Sequence, residues 1–332
     1  MKALRLHTPG PAESKPLVSE EMPIPSPGPH DIVIRVSVCG VCRTDLHIIE
    51  GDLTLPKLPL TPGHQIVGTV HAAGKDVKLH RTGDRVGVPW LYSVCGTCEQ
   101  CLAGRENLCD NGRYTGFHAD GGYAEYMAIG EDFAYSLPDG FSDTAVAPLL
   151  CAGVIGYRAL RLSGVQPGQR LGMYGFGASA HITLQIARAM GCDVYVFTRG
   201  EHHKKLAGEL GAKWTGSATD LPSKPMHATI VFSPAGEAVP AALKTLGKGG
   251  TVALAGIYMT PIPAIEYATI YHEKTVRSVA NSTRDDVRDM LGAAARIPVR
   301  TEVEEFPLEE ANRVLGKLKR SELRGSGVLR VG

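Results

Sequence analysis

Residues 170–257 alternate β-branched runs with helical ones, and that order leaves few folds open. RLGMYGF (170–176) reads as a strand and SAHITLQIARAMG (179–191) as a helix closed by Gly191. DVYVFT (193–198), ATIVFS (228–233) and TVALAGI (251–257) read as further strands, with EHHKKLAGELG (201–211) and VPAALKTLGKGG (239–250) as helices between them. The second of these helices is expected to run into its closing glycines. A βαβαβ order predicts a parallel, doubly wound sheet, because parallel strands need a crossover that packs back on the sheet.

The first half has another texture. DIVIRVSV (31–38), QIVGTVHAAG (65–74), DRVGV (84–88) and YAEYMAI (123–129) are short β-type runs broken by Gly and Pro. They predict an all-β, partly barrel-like unit with functional loops. The change falls near residue 150, where CAGVIGYRALRL (151–162) takes helical spacing. A length of 332 residues fits two domains at roughly 150 residues each. The last fifty residues or so read as helix (285–296), β-type run (299–306), helix (308–320) and closing strand (327–331).

A net charge of +1 without a basic tract argues against nucleic acid or an anionic membrane as partner. No apolar run reaches the roughly 18 residues of a membrane span. MKALRLHTPG lacks the apolar core of a signal peptide, so a cytoplasmic location is expected.

A reducing compartment disfavours a disulfide framework, so the eight cysteines need another reason. Cys95-x2-Cys98-x2-Cys101-x7-Cys109 puts four thiols in one short lobe. Four thiolates make a closed, structural tetrahedral zinc site; an iron–sulfur cluster is the alternative for such spacing. Zinc catalysis needs three protein ligands and an exchangeable fourth position. Cys42, His64 (in TPGHQ) and Cys151 are candidates, although spacing does not establish that they meet. Cys39-Gly-Val-Cys42 could equally be a redox dithiol or half a zinc knuckle.

Gly175-Phe-Gly177-Ala178-Ser179-Ala180 follows a strand and opens a helix, the context in which G-x-G-x-x-A binds a dinucleotide. The second strand ends in Thr198-Arg199-Gly200, where an acidic residue would repel a 2′-phosphate. A hydroxyl and a guanidinium suit a phosphate, so NADP is expected over NAD. The alternative has Arg199 over the adenine, with NAD held through its ribose.

These stretches together make the sequence resemble the zinc-dependent alcohol dehydrogenases of the medium-chain dehydrogenase/reductase superfamily. The resemblance is carried by CGVCRTDLH (39–47), PGHQ (62–65), GDRVGVPW (83–90), the four-cysteine lobe, LLCAGVIGY (149–157) and GFGASA (175–180), in the family's order over almost the whole chain. It implies a GroES-like catalytic domain at 1–150, completed by 283–332, and a Rossmann domain at 151–282, with the active site in the cleft between them. It implies two zincs: a catalytic one on Cys42, His64 and Cys151, and a structural one on Cys95, Cys98, Cys101 and Cys109.

The same resemblance implies that Thr44 receives the alcohol proton and that His47 passes it on through the cofactor ribose. Arg43 would contact the pyrophosphate and Asp45 would orient the zinc-bound histidine. Gly175, Gly177, Ala178, Ser179, Thr198 and Arg199 would bind the cofactor, and Leu53 and Trp90 would line the substrate pocket. Cys39 and Cys192 are left as buried apolar thiols, and 39–47 otherwise as one loop. Gln65 and Ile155 depart from the family's usual Glu and Thr.

The implied reaction is reversible hydride transfer between primary or secondary alcohols, or aldehydes, and NAD(P). A polyol or cinnamyl-type dehydrogenase has the same two zinc sites, and a zinc-free reductase would lack these ligands. A non-enzymatic zinc and NADPH-binding protein would have no need of Thr44 and His47. The resemblance implies a homodimer or homotetramer, with TVALAGI and the following IPAIEY (262–267) as a candidate pairing edge.

Overall fold

The eleven-residue strand Asp31–Val41 organises the N-terminal part of the chain. Its side chains are buried almost throughout, so it reads as a near-continuous apolar run rather than a clean alternation. A computed structural model describes all residues, 1–332. In it, Gln65–Ala73 lies antiparallel along one edge of Asp31–Val41. The other edge is shared: Tyr126–Gly130 pairs with residues 31–35, and Ser326–Arg330 with residues 38–41. Register shifts at Val33/Ile34 and Val36/Val38 bend the strand between these partners.

The seven-stranded sheet runs Val303–Pro307, Ser326–Arg330, Asp31–Val41, Gln65–Ala73, Arg85–Val88 and Tyr135–Ser136, with Tyr126–Gly130 off this path. The C-terminal strand is thus part of the N-terminal sheet, with Leu329 opposite Cys39. Ile32, Ile34, Ile48, Ile66, Val88, Tyr123, Leu315 and Leu329 share the core beneath it.

A second sheet is six-stranded and wholly parallel. Its order is Trp214–Gly216, Asp193–Phe197, Arg170–Tyr174, Met226–Val231, Leu246–Leu254 and Thr275–Ser278. The chain order reverses between Arg170–Tyr174 and Met226–Val231, the switch point of a doubly wound sheet. Tyr174 stacks on Phe197 at 4.2 Å in its core. The two compact units are Met1–Cys151 with Ser282–Ala295 and Arg300–Gly332, and Ala152–Asn281 with Arg296–Val299.

Three expectations are corrected. The helix expected over 239–250 spans Ala238–Thr245, and its glycines lie in the strand Leu246–Leu254. That strand is held between Met226–Val231 and Thr275–Ser278, so TVALAGI is interior and cannot be a pairing edge. The edge on that side is Thr275–Ser278, whose residues are all exposed; its short TVRS run carried no alternation to mark it. Residues 39–47 are not one loop: Cys39, Gly40 and Val41 end the long strand, and Arg43–Glu50 is a helix.

Candidate metal and cofactor sites

The strand-to-helix junction explains the polar density of CGVCRTDLH. Cys42 is the N-cap of the helix Arg43–Glu50, and its Sγ accepts the Thr44 N–H at 3.3 Å. Asp45, at the third helical position, reaches back so that Oδ2 accepts the Cys42 N–H at 2.9 Å. This is a capping box in which a thiol replaces the usual hydroxyl. The other Asp45 oxygen, Oδ1, accepts from His64 Nδ1 at 3.0 Å, with both side chains essentially fully buried. One carboxylate therefore closes the helix start and orients an imidazole.

His64 arrives on a turn that requires glycine. Gly63 has φ +98, and a Cβ there would meet the Tyr123 ring at 2.4 Å. His64 Nε2 then lies 3.2 Å from Cys42 Sγ. Cys151, just before the helix Ala152–Ser163, completes a set whose ligand atoms all lie within 4.8 Å of one another.

A hydrogen bond from the Cys151 thiol holds Cys42 well below the ordinary thiol range, against its burial. The same bond, with burial, pushes Cys151 well above it. Burial disfavours a charged His64, but Asp45 and Cys42 outweigh it and hold the imidazole well above its ordinary value. Burial raises Asp45 despite His64. Two thiols and an imidazole suit zinc, with room in a tetrahedral set for one exchangeable ligand.

Thr44 is buried, Arg43 is exposed and His47 is half-buried one turn further along the same helix. Arg43 donates to Ser321 Oγ at 3.4 Å. His47 Nδ1 lies 2.7 Å from Asp52 Oδ2, a partner that sequence reading missed. Gly51, with φ +80, turns the chain back so that the Asp52 N–H also reaches the His47 carbonyl at 3.0 Å. The signal was present: an acidic residue directly after a helix-stopping glycine. Trp90 meets the His64 ring edge-on at 4.9 Å and stacks with Tyr114 at 5.2 Å. Leu53 is partly buried and packs on the same core.

The four-thiol lobe is built locally. Gly96 and Gly104 take positive φ, and a short helix, Glu99–Leu102, begins after Cys98. All four sulfurs lie within 4.8 Å of one another. N–H groups of Thr97 and Cys98 pull Cys95 down to about 6, whereas burial and its thiol neighbours leave Cys101 at about 12. The lobe is tied down by Arg284, whose guanidinium forks onto both oxygens of Glu106.

In the parallel unit, Gly175 has φ +88, and a Cβ there would crowd the Ser233 backbone at 3.0 Å. Gly177 faces open space and opens the helix Ala178–Ala189, which has no side-chain cap. The first N–H groups of that helix, at Ala178 and Ser179, are thus left for a phosphate, and the turn fits a dinucleotide. Thr198 is buried just past Asp193–Phe197, and Arg199 is exposed beside it.

Two family models match the chain: the alcohol dehydrogenase GroES-like domain over residues 28–139 and the zinc-binding dehydrogenase over 180–296. It is 45% identical to the Mycobacterium tuberculosis protein named "Probable alcohol dehydrogenase AdhA", over 99% of this chain and 97% of that one. It is 38% identical to an alcohol dehydrogenase of Geobacillus stearothermophilus, over 96% and 97% of the two chains. Among solved structures, a cinnamyl alcohol dehydrogenase of Sorghum bicolor matches with a TM-score of 0.90 at 28% identity, covering 99% of this chain and 97% of that one. With its GroES-like and Rossmann units, the chain belongs to the zinc-dependent alcohol dehydrogenases of the medium-chain dehydrogenase/reductase superfamily, oxidoreductases that transfer hydride between alcohols or aldehydes and NAD(P).

Proposed function

We propose that this dehydrogenase holds a catalytic zinc on Cys42, His64 and Cys151 and a structural zinc on Cys95, Cys98, Cys101 and Cys109, and that it prefers NADP. The carrying observation is the three-donor set within 4.8 Å, with the buried Asp45 behind its imidazole. Zinc, when bound there, supplies a Lewis acid that polarises the alcohol or carbonyl oxygen. NADP, when bound, would supply the hydride acceptor, with the Gly175–Ser179 turn holding its phosphates.

The remaining chemistry belongs to the chain. Thr44 and His47 stand three residues apart on one helix and so share a face. The Thr44 hydroxyl takes the alcohol proton, since it can accept and donate at once. His47 is the outlet, and Asp52 on its Nδ1 keeps Nε2 as the nitrogen that receives. Asp45 keeps His64 in the matching tautomer for its ligand role.

NADP preference is supported by Thr198 and Arg199 at the end of Asp193–Phe197, with no carboxylate there. Trp90, stacked near Tyr114 and Phe117 and edge-on to His64, supports a pocket for medium primary alcohols, benzyl-like ones included. The exposed edge Thr275–Ser278 supports a homodimer or homotetramer joined along the parallel sheet. Eight free cysteines, and no single helix long and apolar enough to cross a membrane, support a cytoplasmic location.

Metal analysis and a steady-state panel of alcohols and aldehydes with both cofactors test this reading. About two zincs per chain and a higher kcat/KM with NADPH are expected. A clear NADH preference removes the cofactor assignment. One zinc without alcohol oxidation removes the catalytic one.

A further inference from the structure

The glycines that begin the strand Leu246–Leu254 form a bulge, and the bulge builds a groove. Pairing with Met226–Val231 jumps from Met226/Leu246 to Ala228/Thr251, so His227 alone stands opposite Gly247, Lys248, Gly249 and Gly250. Extra residues of this kind bend a strand and re-aim side chains. Gly249 takes φ +70 and donates its N–H to the His272 carbonyl at 2.9 Å. A Cβ on Gly250 would lie 2.7 Å from the His227 carbonyl oxygen, so only glycine lets the bulge close there. The groove has a volume of about 450 Å³, and Ser163, Arg170, Pro225, His227 and Lys248 line it with the bulge glycines. Arg170 and His227 stand at the starts of their strands, whereas Gly175 follows the end of one. The groove is therefore separate from the dinucleotide turn.

Two side chains in it meet donor to donor. His227 Nδ1 accepts the Arg170 backbone N–H at 3.0 Å, so the imidazole carries its proton on Nε2. Burial and the neighbouring Arg170 hold this histidine below its ordinary range, in the neutral form. Nε2 nevertheless lies 3.4 Å from Nη2 of Arg170, a nitrogen that can only donate. The guanidinium is fixed in place because its Nε donates to the Pro225 carbonyl at 2.7 Å. Lys248 is exposed on the same groove, and no carboxylate lines it. Two fixed N–H donors beside a lysine are the complement of an oxyanion, whose oxygens accept charge-assisted hydrogen bonds.

We propose that this groove is a phosphate-binding site separate from the cofactor site: a phosphate accepts from His227 Nε2 and Arg170 Nη2, and Lys248 balances its remaining charge. The groove leaves room for a small organic body on that phosphate.

The test is calorimetric titration of the zinc-loaded enzyme with inorganic phosphate at constant ionic strength. Saturating NADP keeps the Gly175–Ser179 turn filled. One phosphate per chain is expected to bind. Arg170→Gln removes the guanidinium, and His227→Asn keeps an acceptor for the Arg170 N–H while removing the Nε2 donor. Each is expected to weaken binding about tenfold, with NADPH fluorescence showing wild-type cofactor affinity. Lys248→Ala, at an exposed position that folding does not depend on, is expected to weaken it about threefold. Absence of saturable binding would overturn the proposal. So would binding that Arg170→Gln and His227→Asn leave unchanged, or equal displacement by chloride. Glycerol 2-phosphate in a parallel titration separates the sources: tighter binding supports the site with an esterified phosphate as its ligand, and weaker binding supports it with the free ion.

Discussion

The chain carries two thiol sites of opposite construction. The lobe gathers Cys95, Cys98, Cys101 and Cys109 from one short stretch, three of them only half-buried, with backbone N–H groups lowering Cys95. The other site gathers Cys42, His64 and Cys151 from three distant segments, with a fully buried carboxylate, Asp45, behind the first two. A closed thiolate set leaves no place for a substrate, whereas a three-donor set does. The difference teaches where each can be perturbed: the lobe through its own loop, the buried site through the fold and its supporting shell.

The sharpest break between the two is expected from Cys42→Ala. It should lose one zinc and lower kcat/KM on the order of a thousandfold, since a Lewis acid contributes several kcal/mol to the transition state. Cys39→Ala, a change three residues away at a thiol outside the set, should keep both zincs and most activity. Metal analysis with alcohol kinetics reads both, and equal loss would restore Cys39 and Cys42 as a dithiol.

Asp45→Asn tests whether the buried site depends on its support. A loss of roughly 10- to 100-fold in affinity for one zinc is expected, with the lobe's zinc unaffected. Zinc retention against graded chelator measures it, and loss of both zincs together would erase the distinction. Cys101→Ser should do the converse: one zinc lost and Tm lowered, at about 2–4 °C per kcal/mol for a large domain, with KM for alcohol retained. Calorimetry and kinetics on the same sample decide.

The pH behaviour of the stripped lobe is a finer test. With zinc removed, Cys95 should alkylate with a midpoint at about pH 6, while Cys101, at about 12, remains a thiol at neutral pH. Mass mapping of iodoacetamide adducts reads the two separately, and identical midpoints would count against the backbone control of Cys95.

The smallest effect belongs to the Glu106–Arg284 tie. Burial raises Glu106, but hydrogen bonds and charge from Arg284 overcome it and lower the carboxyl below its usual 4.5. A depressed folded value means that the stabilisation is full above about pH 4.5 and is lost as pH falls through the lowered value. Glu106→Gln should therefore cost about 1–2 kcal/mol at neutral pH and progressively less in acid. Urea unfolding at several pH values measures it.

Much of this was legible before any coordinates. The strand–helix alternation after residue 170 and Gly175-Phe-Gly177 identified the parallel unit, because periodicity and glycine turns are local properties. The lobe was legible for the same reason: its ligand spacing lies within one stretch. The edge strand Thr275–Ser278 was not, since a short exposed TVRS run shows no alternation. Nor was the strand beginning at Leu246, where pairing with Met226–Val231 overrides the helix-stopping habit of glycine.

CGVCRTDLH marks the boundary between the two kinds of knowledge. Sequence alone determined that its thiols, carboxylate and imidazole are the chemistry-bearing groups, and resemblance assigned them roles. Only the tertiary structure turned Cys39 into the core and Cys42 to the helix cap, and brought His64 and Cys151 to it. It also placed Asp52 on His47. The physical reason is reach. Turn chemistry and helix period act over a few residues, but a buried polar cluster is specified by which distant segments the core packs together.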